Sequence, residues 1–116
     1  EISISGETLV GELRNGEINE YTIHPQQFGI ELYDRRAIQV NTVEESRQMI
    51  LAVLDGQPGP ALNIVLLNAG AAIYVAGVAD SLQAGIDRAR RAIAKGDARK
   101  KLDEFIAFTQ RAKAQS

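Results

Sequence analysis

Cysteine is missing from this chain, and histidine is nearly so. Without thiols there is no disulfide framework and no thiolate metal site, and the absence fits a reducing compartment. His24 stands alone. It has no second imidazole to build a ligand set and no adjacent Ser or Asp to build a catalytic triad, so it reads as a surface turn residue beside Pro25. An excess of one charge is lacking too. The formal net charge is -2, so no global field recruits nucleic acid or an anionic membrane. A glycine-rich phosphate loop is also absent. Gly56-Gln57-Pro58-Gly59-Pro60 precedes a helix start, but Pro60 removes one of the amides an anion would need, and the stretch reads as a linker. The opening Glu1-Ile2-Ser3-Ile4-Ser5 has no basic region followed by an apolar core, so it is not a signal peptide. It also lacks an initiator Met and opens in what reads as the middle of a strand, which points to a piece of a longer protein.

What is present describes one globular domain. The 116 residues suffice for one compact unit, and 45% hydrophobic with 24% charged residues is a folded composition. The longest uncharged run, Ala61 to Ala79, is long enough to cross a bilayer. Asn63 and Asn68 interrupt it, Gly70, Gly77 and several alanines dilute it, and no Trp or Lys/Arg anchors flank it. A buried central helix is the better reading.

Local signals place the elements. Thr8–Leu13 and Glu17–Ile23 are β-prone runs around Arg14-Asn15-Gly16, and Asn-Gly favours the positive φ angles of a two-residue hairpin turn. That loop sets Arg14 opposite Glu17, an attraction, and Leu13 opposite Ile18, a packing pair. His24–Gly29 reads as a short turn closed by glycine, and Ile38 with Val40 suggests a brief extended segment. Thr42 and Glu45 have capping-box spacing, Met49, Ile50, Val53 and Leu54 form one apolar stripe, and Gly56 suits a helix end. Pro60 suits the first turn of the next helix, apolar nearly all round to about Ala76. Asp80 and Gln83 repeat the capping spacing before Leu82, Ile86, Ala89 and Ile93, and Gly96 ends that run. A last helix starts near Asp97 with Leu102, Phe105 and Ile106 as its apolar face. A hairpin and about four helices make an incomplete architecture. A lone two-stranded hairpin is marginal in water, and a helix apolar on all sides needs much cover.

Two further features bear on function. Asn68, inside the apolar helix, could contact a ligand, but a buried amide bonded to nearby backbone is the simpler reading. Arg88, Arg90, Arg91, Lys95, Arg99, Lys100 and Lys101 form a basic run that could track phosphates in a nucleic-acid-binding relative. Asp87, Asp97, Asp103 and Glu104 interleave it, Asp87 and Arg91 are spaced to pair, and no aromatic stacking residue lies among the cations. A solvated helix face is the better reading.

The order of these segments resembles the anthranilate phosphoribosyltransferase family. Ile64-Val65-Leu66-Leu67-Asn68-Ala69-Gly70-Ala71-Ala72-Ile73-Tyr74-Val75-Ala76-Gly77, its continuation Asp80–Ile86 and the closing Lys101–Thr109 are similar to the family's C-terminal helices. Gly11–Ile18 with Phe28-Gly29-Ile30 looks like its hairpin and following turn. Ile38–Ser46 departs from the Gly-Gly-Asp and Glu-Asn-Ala pattern of many members, away from the catalytic motifs. The resemblance implies that residues 1–116 are the C-terminal portion of an α/β phosphoribosyltransferase domain, without its upstream strands or the N-terminal helical domain through which the family dimerises. It implies a cytoplasmic enzyme of tryptophan biosynthesis that transfers phosphoribosyl from 5-phosphoribosyl 1-diphosphate to anthranilate with Mg2+. The family's Gly-Thr-Gly-Gly-Asp loop, Lys-His-Gly segment and anthranilate-holding arginine have no counterpart here, so no catalytic or substrate-binding residue transfers. Glu1-Ile2-Ser3 matches the second half of the family's magnesium-binding Asp-Glu motif. Glu1 is therefore the single metal ligand the resemblance assigns, and the chain by itself is expected to be inactive.

Overall fold

The Asn15-Gly16 pair takes positive φ at both residues, 53° and 79°. It closes an antiparallel hairpin of β1 (Thr8–Arg14) and β2 (Glu17–Ile23), with Arg14 opposite Glu17 and Leu13 opposite Ile18. The register is the expected one. The Arg14–Glu17 ion pair is not made, because Arg14 turns to the Tyr74 hydroxyl, donating at 3.4 Å. The structure, a computed structural model, describes residues 1–116.

After the hairpin, His24 starts a 3-10 turn over Pro25–Phe28 that Gly29 closes at φ 67°. Where the sequence suggests a brief extended segment at Ile38 and Val40, Val40 lies in no strand and Ile38 instead ends a second 3-10 turn, Arg35–Ile38. Asp34 nucleates it: its side chain accepts from the Arg36 amide at 2.8 Å and pairs with the Arg36 guanidinium at 2.9 Å. Such local carboxylate bonds favour a turn over a strand.

Four helices follow, α1 (Val43–Leu54), α2 (Pro60–Val75), α3 (Leu82–Ala94) and α4 (Asp97–Ala114). Thr42 caps α1 by accepting from the Glu45 amide at 3.1 Å, while Glu45 reaches back to the Asn41 amide at 2.7 Å, one residue further out than a capping box requires. The α3 cap differs from expectation by one position. Ser81, in extended backbone, accepts from the Ala84 amide at 3.1 Å, and Gln83 bonds to Asp87 instead. Gly56 and Gly96 take left-handed φ after α1 and α3.

The core gathers on α2 and α3. Leu66, Leu67 and Ile86 are fully enclosed, joined by Ala89, by Ile30, and by Ile4 from the opening segment. Each large aliphatic side chain so enclosed contributes about 1.5–3 kcal/mol relative to exposure. The two helices approach to backbone contact through Gly70 and Gly85. A Cβ at Gly70 would lie 2.7 Å from the Ile86 amide nitrogen, and one at Gly85 would overlap the Gly70 carbonyl oxygen. Gly70 is thus a packing requirement of the long apolar helix. Helix α2 is not wholly covered: Val75 is 81% exposed. At 16 residues α2 is not a bilayer span, and no helix is long and apolar enough to cross a membrane.

Candidate functional site

Glu1–Ser5 forms no ladder, although it reads as a strand. Strand pairing needs a neighbouring backbone, and the only sheet here is the hairpin. Other contacts hold the segment, among them the Ser3 amide donating to the Thr8 hydroxyl at 3.1 Å. The Ile4 carbonyl accepts from the Tyr33 amide at 3.1 Å. The Asn68 side chain pairs with Ile2 on both backbone groups: its Oδ1 accepts from the Ile2 amide at 2.8 Å and its Nδ2 donates to the Ile2 carbonyl at 2.9 Å. The same Nδ2 donates to the Ile64 carbonyl at 3.0 Å, one turn earlier on α2. Asn68 is therefore an amide bonded to backbone, as its sequence setting suggests. Its principal partner lies 66 residues away.

Glu1 itself is exposed, at the rim of an apolar hollow lined by Ile38, Met49, Val53, Leu54, Ile64 and Val65. Its carboxylate makes no ion pair, and no group of three or more His, Cys, Asp or Glu side chains that could hold a metal ion exists. A hard carboxylate oxygen free of other partners fits Mg2+ as one ligand. The remaining ligands have no source among these residues.

A second polar cluster was not anticipated from sequence. The Glu12 carboxylate accepts from the Tyr21 hydroxyl and from the Tyr74 hydroxyl, both at 2.7 Å, and so ties the hairpin to the end of α2. These hydrogen bonds, the Tyr74 one foremost, hold the Glu12 carboxyl below its ordinary pKa. The bond to Glu12 pushes the Tyr21 hydroxyl up to about 12 and raises Tyr74 as well. Part of this was legible. Tyr21 pairs with Val10, which shares a strand face with Glu12, so the diagonal contact follows from the register.

The other sequence candidates resolve structurally. His24 Nδ1 accepts from the Gln26 amide at 3.3 Å and the Gln27 side chain accepts from the His24 amide at 3.0 Å, so the imidazole caps its own turn. Two members of the basic run are engaged by carboxylates. Arg99 pairs with Asp55 at 3.0 Å and lies 3.7 Å from Asp103, and Lys101 pairs with Glu104 at 2.7 Å. Asp87 does not pair with Arg91, since Gln83 occupies it. The start of α2 at Gly59-Pro60 has no side-chain cap.

The family model described as "Glycosyl transferase family, a/b domain" matches residues 1–99. The chain belongs to this glycosyl transferase family. Within it, an anthranilate phosphoribosyltransferase from Xanthomonas campestris pv. campestris (strain B100) is 57% identical over 115 residues, covering 99% of this chain and 33% of that protein. One from Dechloromonas aromatica (strain RCB) is 58% identical over 111 residues, covering 96% of this chain and 33% of that protein. The crystal structure of anthranilate phosphoribosyltransferase from Thermus thermophilus superposes with a TM-score of 0.85 at 32% identity, covering 95% of this chain and 32% of that one. The chain thus spans about a third of the length of the curated relatives it matches. A hairpin followed by four helices is this portion of the family's α/β domain.

Proposed function

We propose that this chain is the C-terminal portion of the α/β domain of a cytoplasmic anthranilate phosphoribosyltransferase acting in tryptophan biosynthesis. The observation that carries the reading is 57% identity, across 99% of the chain, to a protein of that name. The substrates are 5-phosphoribosyl 1-diphosphate and anthranilate. The bond from the anomeric carbon to the diphosphate oxygen breaks, a bond to the anthranilate nitrogen forms, and that nitrogen gives up a proton. Mg2+, when bound, would neutralise the charge of the departing diphosphate.

This chain's share of that work is small and specific. Glu1 offers one carboxylate to the metal, and the other ligands and the substrate contacts come from residues beyond this chain. The enzyme works as a homodimer whose contacts likewise lie outside these residues. The chain by itself therefore has no transferase activity, since one carboxylate does not make an octahedral site and no phosphate loop is present.

The test is loss of anthranilate fluorescence with phosphoribosyl diphosphate and Mg2+. The full-length protein carrying this sequence is expected to consume anthranilate, and residues 1–116 alone are expected to leave it untouched. A full-length protein that binds neither substrate would overturn the assignment. Turnover by the isolated chain would overturn the proposed division of labour. The similar proteins are anthranilate phosphoribosyltransferases and lend no weight to a nucleic-acid role for the basic residues of α3 and α4.

A further inference from the structure

Helix α1 carries one apolar stripe, Met49, Ile50, Val53 and Leu54, yet Val53 alone of the helix is buried. The stripe shares a hollow of about 360 Å3 with Ile64 and Val65 of α2 and with Ile38 from the second 3-10 turn. Glu1 is the one charged residue that lines it. The walls stay open to solvent: Ile50 is 52% exposed and Val65 38%. Water in such a hollow has little to bond to, so apolar side chains that displace it are favoured.

The chemistry of the hollow and its place name the occupant. A charged group seated there would lose its hydration with almost nothing to replace it. A small molecule would find few polar groups to orient it, whereas ligand sites set several among their apolar walls. Glu1 stands at the rim, and the backbone next to it is pinned. The Asn68 amide bonds both backbone groups of Ile2, and Ile4 is 1% exposed. This chain spans 33% of the length of its curated relatives. In a protein of that length, the residues that precede Glu1 enter beside the hollow. The tether holds them there at roughly millimolar effective concentration, which a free partner does not match.

We infer that the hollow between α1 and α2 is the seat of apolar side chains from the roughly six residues that precede Glu1 in the full-length protein, a reach of at most about 20 Å. The inference rests on the reading of residues 1–116 as the C-terminal portion of a longer chain. Seated there, the upstream segment covers the half of the α1 stripe that α2 leaves open. It thereby joins α1 to α2 through residues that neither helix contains.

The experiment is maleimide labelling of the full-length protein, with any cysteine upstream of Glu1 replaced by serine; residues 1–116 contain none. Single cysteines are introduced on the two walls, as Ile50→Cys and Val65→Cys. Gln48→Cys, exposed on α1 and outside the hollow, and Ala89→Cys, in the core, serve as references. Both wall thiols are expected to react about 10-fold or more slowly than the Gln48→Cys thiol, since a covered thiol reacts only through local opening. Serine in place of the apolar residues among the six before Glu1 should bring both to the Gln48→Cys rate. Ala89→Cys should stay protected, which reports an intact fold. If that serine block exposes Ala89→Cys too, single serine replacements are read by the same criterion. Wall thiols that react like Gln48→Cys before any serine replacement overturn the inference. Protection that survives the serine replacements also overturns it, since another segment then covers the hollow. Protection that fades on dilution does the same, since a second copy then covers it. Anthranilate consumption, measured before the serine replacements, separates this inference from the proposed function. Turnover with reactive wall thiols overturns the seat and leaves the function standing. Covered walls that serine uncovers, in a protein that binds neither substrate, uphold the seat and overturn the function.

Discussion

The crossing of α2 with α3 and the β1–β2 hairpin are held by opposite means. At the crossing, Leu66, Leu67 and Ile86 are enclosed, and two glycines bring the helix backbones into contact. In the hairpin, Leu9, Leu13 and Ile18 are each more than 70% exposed and only Ile23 of β2 is buried. Its geometry is fixed by the turn and the ladder, and its attachment to α2 includes the Glu12 carboxylate bonded to Tyr74. One region is specified by contacts distant in sequence. The other is specified by neighbours.

Two glycine substitutions break the comparison most sharply. Glycine to alanine inside a helix normally gains about 1 kcal/mol from propensity. At Gly85 the new methyl would overlap the Gly70 carbonyl oxygen, a backbone atom that cannot rotate away. Gly85→Ala is therefore expected to destabilise, with overpacking costs of about 1–3 kcal/mol or more exceeding the propensity gain. Gly11, in β1, has nothing within 4 Å of its would-be Cβ. Gly11→Ala should be neutral or stabilise by roughly 0.5–1 kcal/mol. Urea unfolding of the two variants measures both effects. Equal midpoints would mean that the helices do not cross as closely as Gly70 and Gly85 require.

Next in size is the polar tie between the regions. The Glu12 pKa is lowered in the folded state, so its contribution is complete above the ordinary carboxylate range and is lost as pH falls through the lowered value. Tyr21 works in the other direction. Its pKa is raised from 10.0 to about 12, so its share is complete below 10.0 and is lost as pH rises toward about 12. The tie holds between those limits. Amide exchange across β1 and β2 should quicken in Glu12→Gln relative to the parent at neutral pH, and ring resonances of Tyr21 and Tyr74 should shift together on acidification only when Glu12 is present. Tyrosine signals that titrate identically in both proteins would exclude the tie.

This contrast also explains what could be read from the sequence. The hairpin turn, its register and the Thr42 cap were legible because Asn15-Gly16, the cross-strand pairs and a capping hydroxyl act within a few residues. The α3 cap lies one residue beyond the expected Asp80, because Asp80 and Ser81 are both capping residue types and the fold placed Ser81 in the required extended backbone. Asn68 was recognisable as a bonded amide, yet nothing local names Ile2 as its partner. Gly70 read as dilution of an apolar run, because its reason lies on another helix, at Gly85 and Ile86. Glu1 came from family resemblance alone, and no cluster of ligands in this chain would have revealed it.

The smallest effect belongs to the exposed face of the hairpin. Leu13 and Ile18 pair across the strands at 71% and 72% exposure. Burial that slight leaves little transfer energy to lose, and threonine keeps the β preference of the site. Leu13→Thr should therefore change the stability of residues 1–116 by less than about 0.5 kcal/mol, the usual range for surface substitutions. The same change in the full-length protein makes the measurement informative. A loss there well beyond that of the isolated chain would show that the hairpin face is covered by residues this chain does not contain. Equal small losses in both would leave the hairpin a free-standing arm, held by its own ladder and its attachment to α2.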